Sequence, residues 1–263
     1  MIQEQVGLVD EALARRAEEA GLNASAPPQQ RTVDGWLIRL SPGKAKRSRC
    51  INALAQGSLP LDELLARSEA AFKAAELPLI VRVTPYSQPA NLDELLAAKG
   101  WQAFDAADVW VLNRIEAQAT EDSAGEHPLE RLEAEAYAAL VGTLRGSSET
   151  AIAVHAERMK KSPVVYRGFA LRDAQGALLA CGQFAREDAI VGLYDIFTPP
   201  EQRGRGHAFQ LCRQLLQEAL AEGAKQAYLQ VGSDNAVAQR VYARLGFVFA
   251  YRYHYRSPES VVD

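Results

Sequence analysis

Two short runs in the second half of the chain have residue types that can do chemistry. In the first, Tyr194-Asp195-Ile196-Phe197-Thr198 leads through Pro199-Pro200-Glu201-Gln202 into Arg203-Gly204-Arg205-Gly206-His207-Ala208. Small residues let a backbone turn tightly and approach a ligand closely. The amphipathic segment that follows predicts a helix starting near Gly206, whose first turn offers unpaired N–H groups and a positive dipole end. Such a cradle suits an anion, and a pyrophosphate in particular; Arg203 and Arg205 add charge. A Walker loop would need Gly-Lys-Ser/Thr, and a dinucleotide fingerprint would need glycine where Phe209 stands. Taken alone, Arg-Gly-Arg-Gly is weak evidence, and a surface loop is its default reading. The second run, Asn235 to Phe247, is NAVAQRVYARLGF.

Positioning these runs requires a mixed α/β domain. The pattern predicts helices near Leu129–Leu144 and Glu149–Lys160, then three strands, Val164–Arg172, Leu178–Arg186 and Ala189–Thr198. A helix Gly206–Ala221, a strand Ala227–Val231, a helix Asn235–Leu245 and a strand Phe247–Tyr255 complete the order. In the first half, helices are expected at Val6–Ala20 (stopped by Gly21), Leu61–Ala75 and Asn91–Lys99. Strands are expected at Trp36–Leu40, Leu79–Val83 and Ala107–Ile115, with a hairpin from Trp36–Leu40 into Ser48–Leu54. The acidic, small-residue run Glu116–His127 reads as a linker, giving an N-terminal domain 1–116, a linker 117–127 and a domain 128–263. Each half contains strand, Asn, short helix and Gly-aromatic: Val83, Asn91 and Gly100-Trp101, then Val231, Asn235 and Gly246-Phe247. This echo points to a diverged tandem duplication.

Bulk properties narrow the classes further. The 263 residues are 48% hydrophobic and 24% charged, with a formal net charge of −4. That balance supports a globular core and argues against a general nucleic-acid binder. No apolar run reaches the ~20 residues of a membrane helix, and the first residues resemble neither a signal nor a transit peptide. Cys50, Cys181 and Cys212 are far apart and odd in number, so buried thiols in a reducing cytoplasm are expected rather than disulfides or zinc. His127, His155 and His254 have no metal-ligand spacing.

The two runs together resemble the GNAT superfamily of N-acetyltransferases. Arg203, Gly206 and Ala208 match its Arg/Gln-x-x-Gly-x-Gly/Ala motif. Asn235, Ala238, Tyr242, Gly246 and Phe247 match its Asn-x-x-Ala-x-x-x-Tyr-x-x-x-Gly-Phe pattern. The likeness covers Val164–Tyr255; the first half looks like the degenerate half of tandem members. The resemblance implies a GNAT-like α/β fold with a mixed sheet, two tandem GNAT-like halves being the expected architecture, and transfer of an acetyl group from acetyl-CoA to a primary amine of a small molecule, amino acid or peptide. It implies no metal, a monomer or homodimer, and cofactor contacts from Phe197, Thr198, the loop Arg203, Gly204, Arg205, Gly206, His207 and Ala208, and from Asn235 and Tyr242. Tyr242 is then the catalytic acid and Asp195 the candidate base; Asn235 is equally a helix cap. His207 is expected to serve through its backbone. Leu96 stands where the first half would need the tyrosine. Trp36, Arg39, Arg49 and Asn52 are candidate substrate contacts, each weighed against a packing role. Two readings from other classes compete: a catalytically silent acyl-CoA-binding sensor, and an aminoacyl transferase using charged tRNA, which the intact loop and acidic balance disfavour.

Overall fold

A computed structural model describes residues 10–43, 45–117 and 127–259. They divide into two compact units: the chain up to Ala24 with Val109–Ala250, and Ser25–Asp108 with Tyr251–Asp263. This is not the linear division expected at 116 and 128. The expected linker, apart from its ends, lies outside the described residues.

The first unit holds helix α1 (Glu11–Ala24), which overlaps the helix expected at Val6–Ala20; residues 6–9 lie outside the described residues, and Gly21 sits inside the helix rather than stopping it. The reason is packing. A Cβ at Gly21 would come within 2.8 Å of the Gln230 side chain, so glycine here serves a close approach. Helices α4 (Ala134–Leu144) and α5 (Glu149–Lys161) follow the short strand β6 (Leu129–Leu132). Leu129–Leu132 was expected to be helical, and its Leu-Glu-Arg-Leu sequence favours helix. Pairing of Leu129 with Leu171 and of Leu132 with Gly168 overrides that preference. Strands β7 (Val165–Arg172), β8 (Leu178–Glu187) and β9 (Ile190–Phe197) form the antiparallel meander forecast from the turns. Helix α6 (His207–Ala221), strand β10 (Gln226–Gly232), helix α7 (Ala236–Arg244) and strand β11 (Val248–Ser257) complete the order, with β10 parallel to β9.

Period-two alternation along β8 divides two apolar layers. Ala180 and Phe184 pack with Leu211, Cys212 and Leu215 of α6. Cys181 and Ala185 pack with Tyr137 and Val141 of α4 and Met159 of α5.

The second unit holds β1 (Gln30–Val33), β2 (Trp36–Arg39), β3 (Ile51–Ala53), α2 (Leu61–Ala74), β4 (Val81–Val83) and α3 (Leu92–Ala98). The β1–β2 hairpin was not foreseen, although its turn, Asp34-Gly35, has positive φ at both residues, a strong hairpin signal. Trp36, Ile38, Phe72, Leu92 and Leu96 form its core.

The duplication is visible in backbone bonds. Trp101 N–H donates to the Leu96 carbonyl and Phe247 N–H to the Tyr242 carbonyl, both at 3.1 Å. Leu96 and Tyr242 are therefore equivalent positions. The strand after each of these helices goes to the other half's unit. The end of β5 (Gln102–Leu112), from Val109 on, belongs to the first unit, beside β10. The end of β11 pairs with β4, Tyr255 opposite Arg82, in the second. This exchange is why units and sequence halves differ.

Gly168 lies under the ring of Tyr137, where a Cβ would meet Cγ at 2.3 Å. Gly168→Ala is expected to destabilise the protein by roughly 1–3 kcal/mol through overpacking, read as a lower midpoint in denaturant melts.

Candidate active site

The site starts from a fault in the sheet. Gln183 pairs with Tyr194 and Cys181 with Phe197, so Asp195 and Ile196 of β9 together oppose Gly182 of β8. This is a β-bulge, and it bends and twists the strand that carries the extra residue. Asp195 takes φ +53°, which aspartate tolerates better than most residues. Gly182 is required opposite: a Cβ there would meet Ile196 Cδ1 at 2.6 Å. On the other edge, parallel pairing of β9 with β10 ends at Leu193–Leu229, while the strands continue to Phe197 and Gly232. The two strands part there, leaving a gap beside Phe197 and Thr198.

Past the gap lies the glycine loop. Gly204 (φ +76°) and Gly206 (φ +84°) adopt left-handed conformations, and nothing lies within 4 Å of a Cβ built on either. Gly206 is the N-cap of α6 and provides no side-chain cap. The first-turn N–H groups of a 15-residue helix thus face the loop without a side-chain acceptor. Arg203, Gly204, Arg205 and Gly206 are exposed. Arg203 folds back so that its Nε donates to the Thr198 carbonyl at 3.2 Å, tying the loop to the end of β9. His207 and Ala208 open the helix. The structure therefore brings the strand end, the loop and the helix start together.

Asn235 caps α7: its Oδ1 accepts from Ala238 N–H at 3.1 Å. Tyr242, on the last turn of α7, is 8% exposed and belongs to the apolar cluster around α6. Its ring meets Phe247 edge-on at 6.2 Å. Burial, and then the neighbouring Cys212, raises its phenol above the ordinary value.

Asp195 lies in a different setting. Arg145 Nη1, at the end of α4, donates to Oδ1 at 2.7 Å, and Gln183 Nε2 donates to Oδ2 at 2.5 Å. Burial alone would raise the carboxyl; the charges of Arg145 and Arg158 and the Arg145 hydrogen bond overcome it and hold the group below its usual value. His155 of α5 lies 3.4 Å from Gln183 Nε2, and its ring faces Tyr137 edge-on at 6.1 Å. Burial, helped by Arg158, pushes His155 down to about 4, so the ring is neutral at physiological pH. Sequence reasoning did not single out Arg145, Gln183 or Tyr137. Arg145 is 50 residues from its partner, and no local pattern marks it.

Of the N-terminal candidates, Trp36, Arg39 and Asn52 are buried. Trp36 is buried and donates to the Gln88 carbonyl at 3.2 Å. Buried Arg39 donates to Gln30 and Ser25, both at 3.1 Å, and Asn52 Nδ2 reaches Cys50 Sγ at 3.6 Å. Arg49 is half-buried. The loop before α2 also differs from the one before α6: the Asp34 carboxylate accepts from Ser58 N–H at 3.0 Å and Leu59 N–H at 2.7 Å. The chain's own anion occupies amides that, before α6, remain open.

The model of the acetyltransferase (GNAT) family matches residues 129–247. The chain carries a GNAT acetyltransferase domain. It is 25% identical over 229 residues to an uncharacterized N-acetyltransferase, YobR, of Bacillus subtilis (strain 168), covering 86% of this chain and 91% of that one. Its fold is similar to that of a GCN5-related N-acetyltransferase from Kribbella flavida (TM-score 0.67, 17% identity, 96% of each chain). A tandem GNAT protein from the clavulanic acid biosynthesis pathway also shares it (TM-score 0.57, 17% identity, 77% of this chain and 70% of that one). The chain thus shares the fold of GNAT proteins, a tandem one among them. Among the described residues, no helix is long and apolar enough to cross a membrane.

The GNAT domain should be acid-sensitive through His155. Its folded value lies below the unfolded ~6.5, so the unfolded chain binds more protons between the two. The stability this neutral ring contributes is complete above about pH 6.5 and is lost as pH falls toward 4. His155→Gln should remove on the order of 2 kcal/mol of the stability lost between pH 6.5 and 4.5. Parallel melting curves for the two proteins across that range would show that the ring is not held neutral.

Proposed function

We propose that the GNAT domain moves an acetyl group from acetyl-CoA to a primary amine of a small molecule, amino acid or peptide. The observation that carries this reading is the open loop Arg203–Ala208, set between an uncapped helix N-terminus and the gap where β9 leaves β10. Loop amides would hold the pyrophosphate, with Arg205 adding charge. The free backbone edge at Phe197 and Thr198 would pair with the pantetheine arm. Asn235 Oδ1 is used by its helix, which leaves Nδ2 for a cofactor contact.

In the reaction, the amine nitrogen attacks the thioester carbonyl. A C–N bond forms, the C–S bond breaks, the nitrogen loses a proton and the CoA sulfur ends as a thiol. Tyr242 is assigned to the leaving sulfur. Thiols are ordinarily more acidic than phenols, and burial widens the difference here. The phenol therefore stays protonated and donates a hydrogen bond to the developing thiolate. Asp195 is assigned to the amine. As an ionised carboxylate with a lowered value, it attracts an ammonium and orients it more readily than it keeps a proton, so water carries the proton away.

The competing reading is a silent acyl-CoA-binding protein, and it is separated by turnover. A screen of amines for acetyl-CoA-dependent thiol release should find at least one acceptor. In that assay Tyr242→Phe should lower turnover by ~10-fold or more with cofactor affinity within a few-fold. Full turnover by a folded Phe variant would remove Tyr242 from the mechanism. Gly206→Glu puts bulk and negative charge where the pyrophosphate should sit, and should abolish acetyl-CoA binding in calorimetry; unchanged affinity would overturn the loop assignment.

A further inference from the structure

One residue near the glycine loop comes from outside the family motif. His127 immediately precedes Pro128 and β6, and its ring lies 5.5 Å from that of His207, edge to face at 66°. Two side chains of α6 fix its backbone: Gln210 Nε2 donates to the His127 carbonyl at 3.3 Å and Gln214 Nε2 at 3.1 Å. One turn further on, Gln217 Nε2 holds the Glu116 carbonyl at 2.9 Å. Glutamines 210, 214 and 217 form one stripe of α6, so a row of neutral amides clamps the chain against the helix that starts at the loop. His127 is thereby presented at the α6 N-terminus without a carboxylate in the clamp. The titratable and charged groups acting on His207 are His127 and Arg205.

We infer that His127 is a further cofactor-binding residue, and that with His207 it forms a clamp that takes up a proton when the pyrophosphate binds. This rests on the acetyl-CoA reading of the loop. Arg205 and the helix N-terminus disfavour a charged His207 while no anion is present. Burial, His127 and Arg205 accordingly lower His207 below its ordinary value. A pyrophosphate contributes two negative charges at the same place and reverses the balance, so one imidazole of the pair gains a proton and a charge-assisted hydrogen bond. The linkage sign follows: the bound form holds more protons, so affinity rises as pH falls, until the pair is already protonated in the free protein.

Calorimetry with the full chain tests this. Acetyl-CoA is titrated at pH 6.5 in two buffers of different ionisation enthalpy, and again with acetyl-dephospho-CoA, which lacks the 3′-phosphate whose own ionisation near ~6 would otherwise contribute. The expected result is uptake of a substantial fraction of a proton with both ligands, and affinity rising about 3–10-fold from pH 7.5 to 6. His127→Gln should abolish most of the uptake and flatten the pH dependence, while a melting curve near that of the wild type shows that the fold is kept. His207→Gln should do the same if the pair shares the proton. Binding without uptake, or uptake unchanged in both variants, overturns the clamp and leaves the cofactor assignment standing. Failure of either ligand to bind overturns both.

Discussion

The site depends on one irregularity, the bulge that sets Asp195 and Ile196 of β9 against Gly182 of β8. An extra residue in one strand cannot be absorbed without added bend and twist. Here the consequence appears at the opposite edge, where β9 stops pairing with β10 after Leu193. In a continuous parallel pair, the β10-facing backbone groups of Tyr194–Phe197 would be spent on that strand. Freed from it, they border a gap leading to the glycine loop. The bulge also turns alternation to advantage. Ile196 is directed to the α6 layer, beside Leu211 and Leu215, and Asp195 meets Arg145 and Gln183. One register shift thus opens the gap and puts a carboxylate next to it.

The surroundings of that carboxylate show why burial and charge must be weighed together. A buried carboxyl is ordinarily pushed toward its neutral form. Asp195 is not, because the positive charges around it, Arg145 first, and the Arg145 hydrogen bond outweigh that push. At His155, burial and the charge of Arg158 outweigh the attraction of Asp195, and the ring stays neutral. Tyr242 is also pushed toward its neutral form, by the apolar cluster around α6. Asp195 is thus held as one half of an ion pair with Arg145, while His155 and Tyr242 are held neutral by burial.

The two units show how duplicated loops can diverge. Before α6, two left-handed glycines and an uncapped helix start keep amides open to a ligand. Before α2, Asp34 satisfies the corresponding need from within the chain, and Leu96 replaces the tyrosine. Buried Arg39 and Arg82 serve the second unit's own packing: Arg39 is held by Gln30 and Ser25, and Arg82 stacks at 3.9 Å over Tyr253.

What the sequence alone determined is local. Arg203–Ala208, the amphipathic stripe of α6, the Asn235 cap and the strand turns each follow from φ preferences, spacing or capping within about ten residues, and together they were enough to reach the GNAT resemblance. The hairpin at Asp34-Gly35 was equally legible and was missed. Other features were decided only by tertiary structure. Leu129–Leu132 became a strand because β7 offered it an edge. Gly21 sits within a helix because Gln230 approaches it. Asp195 is an ion-paired group at a bulge because strand register, set across the sheet, brings Arg145 to it from 50 residues away. The final strands of the two halves exchange units for the same reason. Registers and partners depend on how whole faces are buried against one another, and no window of sequence contains both sides of such a contact.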